Sequence, residues 1–294
     1  MLTYDGWNLN KESGVPDTVR YWSAPSKESL DIAICIKAIA GNKDAQLLIP
    51  DGNAEKAIST ALEILKGKLD SYNSFNQRYP GYGGFLPWFL SGAEMDPTDD
   101  WKGELPGLDN GEWVWSMLTA EHVLRQLGHQ DLADKYAEYN RKLKENSVKI
   151  FFDKSAGKVR GDVKITNAAS AGSSYETILS KPGRATYLTG EHGVHEGFMK
   201  VMFVTLFGKG LTQGEKDTIW NSIDMVRVEN KYGTTWQAYW GSAHEEWAWL
   251  FLPFGDLPEY QQLFRIREII RSNNARERRY PGFASSTNQP VGTG

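Results

Sequence analysis

The chain has 294 residues, with 33 Lys and Arg against 37 Asp and Glu and a formal net charge of −4. That balance offers no footprint for a polyanion, which argues against nucleic acid as a partner. The single cysteine, Cys35, excludes an internal disulfide and a cysteine-rich metal site, and no apolar run is long enough to span a membrane.

Residues 1–28 are polar and turn-rich, and the first ten lack the apolar core of a signal peptide. Apolar periodicity then predicts a helix over 29–40, stopped by Gly41-Asn42, and a second over 54–73 with Ala57, Ala61, Ile64 and Leu65 on one face. A long loop rich in Gly, Pro and Trp follows over 78–107. Helices are expected at 112–127 and 132–148. The period then changes over 149–165, where Val159, Gly161, Val163 and Ile165 alternate with polar residues after a turn at Ser155-Ala156-Gly157, giving one small β-hairpin. Helices return at 196–207, at 212–226 behind a Thr212/Glu215 capping box, at 245–254 and at 258–278. With about eight helices in antiparallel-looking pairs and no βαβ alternation, the chain reads as all-α, built from helical hairpins. Tyr79-Pro80-Gly81-Tyr82 is echoed at Tyr280-Pro281-Gly282-Phe283, too short a match to define a repeat by itself.

The compositional anomaly is aromatic: 11 Trp, 13 Tyr and 12 Phe, many of them beside Gly, Pro and polar residues. Rings on loops suit either an aromatic core or a cleft that stacks flat, uncharged ligands such as sugar faces, whereas those inside helices belong to the core. Three constellations could carry chemistry. In Asp109-Asn110-Gly111-Glu112-Trp113, the acids stand three apart at an expected helix start. They serve either as a capping box or, with Trp113, as a grip on substrate hydroxyls. In Glu191-His192-Gly193-Val194-His195-Glu196, the order His-x-x-His-Glu differs from the zinc-protease order and no third ligand is evident, so no metal is expected. Glu196 opens an apolar helix. It is either a carboxylate stabilising the helix start or a partly desolvated acid that holds its proton near neutral pH. In the segment 231–247, Trp236, Gln237, Trp240, His244 and Glu245 mix rings, an amide and an acid as sugar-binding surfaces do. No serine-hydrolase elbow, P-loop or dinucleotide fingerprint occurs.

Five segments together resemble the endo-β-1,2-glucanases of the fungal-type glycoside hydrolases. They are Tyr82-Gly83-Gly84-Phe85-Leu86-Pro87-Trp88, residues 105–115, residues 191–196, Tyr232-Gly233-Thr234-Thr235-Trp236 and Tyr280-Pro281-Gly282-Phe283-Ala284-Ser285-Ser286. The resemblance extends more distantly to bacterial β-1,2-glucanases and glucoamylase-like domains. It implies an (α/α)6 toroid, cofactor-free endo-hydrolysis of linear β-1,2-glucan to sophoro-oligosaccharides, inversion at the anomeric carbon and a secreted enzyme. Inverting hydrolysis uses one protonated carboxyl as acid and one carboxylate that activates water. The resemblance matches the acid to Glu196, with Glu191 as rival, and makes Asp109 and Glu112 substrate-binding or supporting acids. Trp113, His192, His195, Trp236, Gln237, Trp240, His244 and Glu245 are further candidate substrate contacts. Six hairpins need twelve helices and the family's base falls far C-terminal. The expectation is therefore a single glycoside-hydrolase-like domain over 1–294, an incomplete toroid truncated at one or both ends. The competing readings are a glucan-binding fragment without the base, and a helical-toroid polysaccharide lyase. The lyase would need Tyr or His beside an acidic sugar, and the loops lack the clustered Arg and Lys that such a substrate asks for.

Overall fold

The structure is a computed structural model. It describes residues 2–4, 6–10, 12–13, 15–50, 54–92, 94–182, 184–189, 196–224, 226–236 and 250–279. Among these lie eight helices: α1 (Pro25–Ile39), α2 (Lys43–Leu48), α3 (Ala54–Arg78), α4 (Gly107–Gln126), α5 (Gln130–Phe151), α6 (Glu196–Phe207), α7 (Gln213–Asn221) and α8 (Pro258–Arg278).

Contacts between side chains fix the helix directions. Glu28 and Asp31 of α1 meet Lys68 of α3, with Glu28 also receiving Tyr72, so α1 and α3 form an antiparallel hairpin. Asn140 of α5 donates to the Met117 carbonyl of α4, closing a second hairpin across the short turn at 127–129. Tyr136 donates to the Leu65 carbonyl and Tyr139 packs on Tyr72, so α3 and α5 run side by side in the same direction. Lys200 lies over Phe151 at the end of α5, while Lys144, two turns earlier, lies over Phe207. Hence α6 opposes α5 and runs parallel to α4. The result is one row, α1, α4 and α6, that shares one direction, and a second row, α3 and α5, that opposes it. α4 packs against α1, α5 and α6. It is therefore apolar around most of its circumference, with Trp113, Val114, Met117, Ala120 and Leu124 fully buried.

The all-α expectation holds for the bulk of the chain, but five small antiparallel sheets are present among the described residues where one hairpin was expected. The polar N-terminal stretch forms a hairpin, β1 (Gly6–Leu9) with β2 (Pro16–Arg20). The loop expected over 78–107 holds β4 (Phe89–Ser91), β5 (Met95–Pro97) and β6 (Glu104–Pro106), and β4 also pairs with β3 (Trp22–Ser23). The expected hairpin is split. β7 (Phe152–Asp153) pairs with β8 (Lys158–Val159), whereas β9 (Asp162–Ile165) leaves to pair with β6 and with β10 (Tyr175–Thr177). The split occurs at Gly161, which has no room for a side chain: a Cβ there would overlap the Ala185 carbonyl. β11 (Arg227–Asn230) and β12 (Gly233–Trp236) form a further hairpin just past the helix expected over 212–226, and α7 ends five residues short of that expectation. The capping box at Thr212 and Glu215 is formed as the sequence indicates. Residues 245–249 of the helix expected over 245–254, and the second copy of the Tyr-Pro-Gly motif at 280–283, lie outside the described residues, and the described part of that helix gives way to a 3-10 turn at Pro253–Asp256. Cys35 is buried among apolar neighbours, and burial pushes its thiol up to about 12.

The α1–α3 hairpin is held by a buried ion pair. Lys68 Nζ stands 2.7 Å from Glu28 Oε2 and 2.8 Å from Asp31 Oδ2, and Lys68 and Glu28 are fully buried. Burial alone would push the Glu28 carboxyl up. The Lys68 charge outweighs it, with hydrogen bonds from Lys68, Thr3 and Tyr72, and holds it below the usual range. Breaking such a pair from one side leaves an uncompensated charge in the core. Lys68→Met is expected to cost about 3–5 kcal/mol in urea unfolding, and adding Glu28→Gln is expected to recover part of the loss.

Candidate functional site

Helices α1, α4 and α6 bring their first turns to one end of this region. Ser26 in the first turn of α1 donates to Asp109 Oδ1 in the first turn of α4. The start of α6 adjoins the same region. Lys200, one turn into α6, lies over Phe85, and the neighbouring Leu86 backbone is bound to the Asn110 side chain of α4.

The capping box, one of the two roles open to Asp109 and Glu112, is not formed. α4 begins at Gly107, two residues before Asp109, with Pro106 at its N-cap and no side-chain cap. Instead the Gly107 N–H donates to the Gly161 carbonyl at 2.6 Å. A Cβ on Gly107 would overlap that oxygen, so only glycine allows the approach. Tertiary backbone pairing replaces the cap and releases Asp109, which is half-buried. Its second oxygen accepts the Trp88 indole N–H at 2.8 Å.

Trp88 is the middle ring of a stack. Trp22 lies parallel to it at 5.0 Å and 7°, and Trp101 lies on its other side at 5.6 Å and 28°. Arg184 closes the far end, its guanidinium 3.6 Å from the Trp101 ring centre and 3.0 Å from Glu104. Beside this stack Asp162, at the start of β9, is almost wholly buried and accepts the Ala185 N–H at 2.7 Å. Burial pushes its carboxyl up to about 7. The Ala185 N–H and the Arg184 charge pull it down, and the nearby Asp109 and Glu104 push it up. The stack covers both faces of Trp88 and of Trp101, so these two rings form a wall beside the carboxylates and offer no open face to a sugar ring.

Of the sequence-derived candidates, the structure places Asp109 in this region. Glu196 is the first residue of α6, and its position in the chain puts it at the same end. Trp113 is a correction: it is fully buried, edge-on to Tyr72 and Tyr139 at 5.3 and 5.9 Å, and so presents no surface to a ligand. Glu112 is likewise fully buried within α4. Trp236 closes β12, distant in sequence from these elements. Glu191, His192, His195, Gln237, Trp240, His244 and Glu245 lie outside the described residues. No cluster of His, Cys, Asp or Glu suited to a metal occurs among the described residues. Sequence reasoning did not single out Trp22, Ser26, Trp101 or Asp162. Trp88 stands in one of the family-like motifs, and that was the available signal. A separate surface hollow of about 480 Å³ sits at the opposite end, between α3 and the α4–α5 turn, lined by Leu62, Lys66, His129 and Lys135 among others. It has no aromatic lining and no link to the indole stack.

Indoles and carboxylates gathered at one end of a helical fold are side-chain types that suit the carbohydrate-binding class of protein. Within it, the chain belongs to the endo-β-1,2-glucanase SGL family, glycoside hydrolase family 162, whose family model matches residues 2–293. It is similar to two solved structures from Talaromyces funiculosus: endo-β-1,2-glucanase in complex with sophorose, and a mutant of endo-β-1,2-glucanase with β-1,2-glucan. Each is 31% identical with a TM-score of 0.85, over 97% of this chain and 59% of the other. The chain thus spans less than two thirds of the length of these relatives. No curated protein matches it.

One further group near the site has no evident catalytic use. Lys200 is fully buried, with its ammonium 3.6 Å from the Phe151 ring centre and 3.9 Å from that of Phe85, and it has no hydrogen-bond partner among the described residues. Ring faces replace only part of the lost water, so burial pushes this amine well below the usual lysine range. Between that lowered value and about 10.4 the unfolded state binds the extra proton, so stability rises with pH. Lys200→Met is therefore expected to raise the urea midpoint at pH 6, by an increment that shrinks towards pH 10.

Proposed function

We propose that this chain forms part of an (α/α)6 toroid that cleaves linear β-1,2-glucan internally to sophoro-oligosaccharides with inversion. Family membership across residues 2–293 carries the reading, since the similar structures hold sophorose and β-1,2-glucan. The two opposed rows of helices support the toroid. A ring of helical hairpins places its inner helices parallel, as α1, α4 and α6 are, and their starts form one mouth. The 1–294 segment then acts as a single helical domain of that ring.

In this reading Glu196 is the general acid, with Glu191 as the rival assignment. An acid at the head of an apolar helix keeps its proton through loss of water. Asp109, held in place by Ser26 and Trp88, grips sugar hydroxyls, and the indole stack borders the path of the chain. The substrate contacts expected of His192, His195, Trp236, Gln237, Trp240, His244 and Glu245 belong to the same proposal. Glucan is the ligand, and neither cofactor nor metal enters the reaction. A second reading, glucan binding without turnover, is favoured by one observation: the chain matches 59% of each relative.

The deciding experiment is incubation with linear β-1,2-glucan, analysed for products beside a Glu196→Gln variant. The expected result is release of sophoro-oligosaccharides, falling by about 10²–10⁴-fold in the variant, which is the usual contribution of a general acid. Binding without products would favour the second reading and place the base outside these residues. Absence of both binding and products would sink the proposal.

A further inference from the structure

Asp162 sits where three backbone segments meet. Its N–H donates to the Ala185 carbonyl at 2.7 Å, and its carboxylate accepts the Ala185 N–H at 2.7 Å. The same two residues thus clasp each other twice, once through main chain and once through a side chain. Adjacent contacts continue the pairing: Gly161 N–H to the Thr186 carbonyl at 2.9 Å, and Leu188 N–H to the Val159 carbonyl at 2.9 Å. On its other side Gly161 accepts the first N–H of α4. Next to Ala185 stands Arg184, which covers Trp101, pairs with Glu104 and donates to the Asp100 carbonyl. The Asp162 carboxylate is the side chain that secures segment 184–188 at the point where Arg184 leaves it for the aromatic stack.

We propose that Asp162 is a positioning residue of the candidate site, fastening segment 184–188 to β9 and so holding Arg184 against Trp101 at the edge of the indole stack. The link to ligand rests on the glucan-binding reading above; the clasp itself does not.

The clasp has a pH sense. Among the described residues, the charged groups facing Asp162 are Asp109 from α4, Glu104 from β6 and Arg184 from the clasped segment. With the clasp closed its carboxyl titrates near 7, mainly because it is buried. With the clasp open and the group in water, it would titrate near the ordinary aspartate value of about 3.9. Between those values the closed form holds a proton that the open form has lost. Opening therefore becomes easier by up to about tenfold for each unit of rising pH, and levels off above 7.

Hydrogen exchange of the Ala185 amide, corrected for intrinsic rate and followed from pH 5 to 8.5, tests this in the intact chain. In the parent, protection is expected to fall as pH rises towards 7 and then to flatten. Asp162→Asn keeps an acceptor oxygen without the charge, so its protection is expected to stay high and independent of pH. Asp162→Ala is expected to lose at least tenfold protection over 184–188 while α5 stays protected. Sophorose titration of the same three proteins reads the effect on the site, with weakened binding in the alanine variant and rescue in the asparagine variant. Should the alanine variant fail to fold, the contrast in pH dependence between parent and asparagine variant decides the matter. Protection independent of pH in the parent would overturn the proposal. So would an alanine variant with an open clasp and undiminished sophorose binding. If the parent binds no sophorose, the glucan reading fails while the exchange profiles still decide whether Asp162 is the clasp.

Discussion

Two glycines carry the constraint on which the site depends. Gly107 and Gly161 let the head of α4 touch the turn before β9, and Gly161 in turn touches Ala185. Three backbones lie against one another with no side chain between them. That contact supplies the first N–H of α4 with its partner, sets where the helix begins and fixes which residues fall in its first turn. It also hangs the β6–β9–β10 sheet on the core. Asp109, Asp162 and Arg184 take their places from main-chain geometry before any of their own interactions count.

Buried polar groups then hold the surrounding loops. Asn110 uses its whole amide: it donates to the Leu86 and Pro106 carbonyls at 2.7 and 2.8 Å and accepts the Leu86 N–H at 3.1 Å. Such full satisfaction rigidifies a loop that would otherwise pay for burying unpaired groups. Two residues further on, that loop delivers Trp88 to Asp109. The Glu28–Lys68 pair does comparable work behind the site, where it ties the Ser26 end of α1 to α3. Lys200 contrasts with both, a buried amine set against ring faces with no hydrogen-bond partner among the described residues.

Most of the helical scaffold was legible in the sequence because its signals are local. The apolar run after Glu196 and the amphipathic run from Pro258 gave α6 and α8 their observed bounds, and Thr212 with Glu215 marked the start of α7. The sheets were not legible. Strands of two to five residues are too short to establish an alternating pattern, and pairs such as β6–β9 join segments far apart in the chain. The family resemblance was readable from short motifs in a fixed order, and the match across the chain bears it out. The candidate site was only half legible. Asp109 was visible as an acid at a helix start, but local spacing suggested a cap where a tertiary backbone bond does that work. Trp113 looked like a cleft aromatic because it adjoins acids, yet the helical period turns it into the core. Asp162 offered no signal, because only its approach to Ala185 distinguishes it from any other strand aspartate.

The shared direction of α1, α4 and α6 has an electrostatic consequence at the end where they start. Each helix presents the positive pole of its aligned peptide dipoles there, equivalent to roughly half an elementary charge. Such a field favours anions and works against any carboxyl that must keep its proton. An acid at this end cannot rely on polar surroundings to stay neutral. It has to be shut away from water or crowded by other acids, as Asp162 is by burial and by Asp109 and Glu104. Depth thus becomes a sorting rule for carboxylates at the mouth. The helix poles favour the anion, and burial is what opposes them.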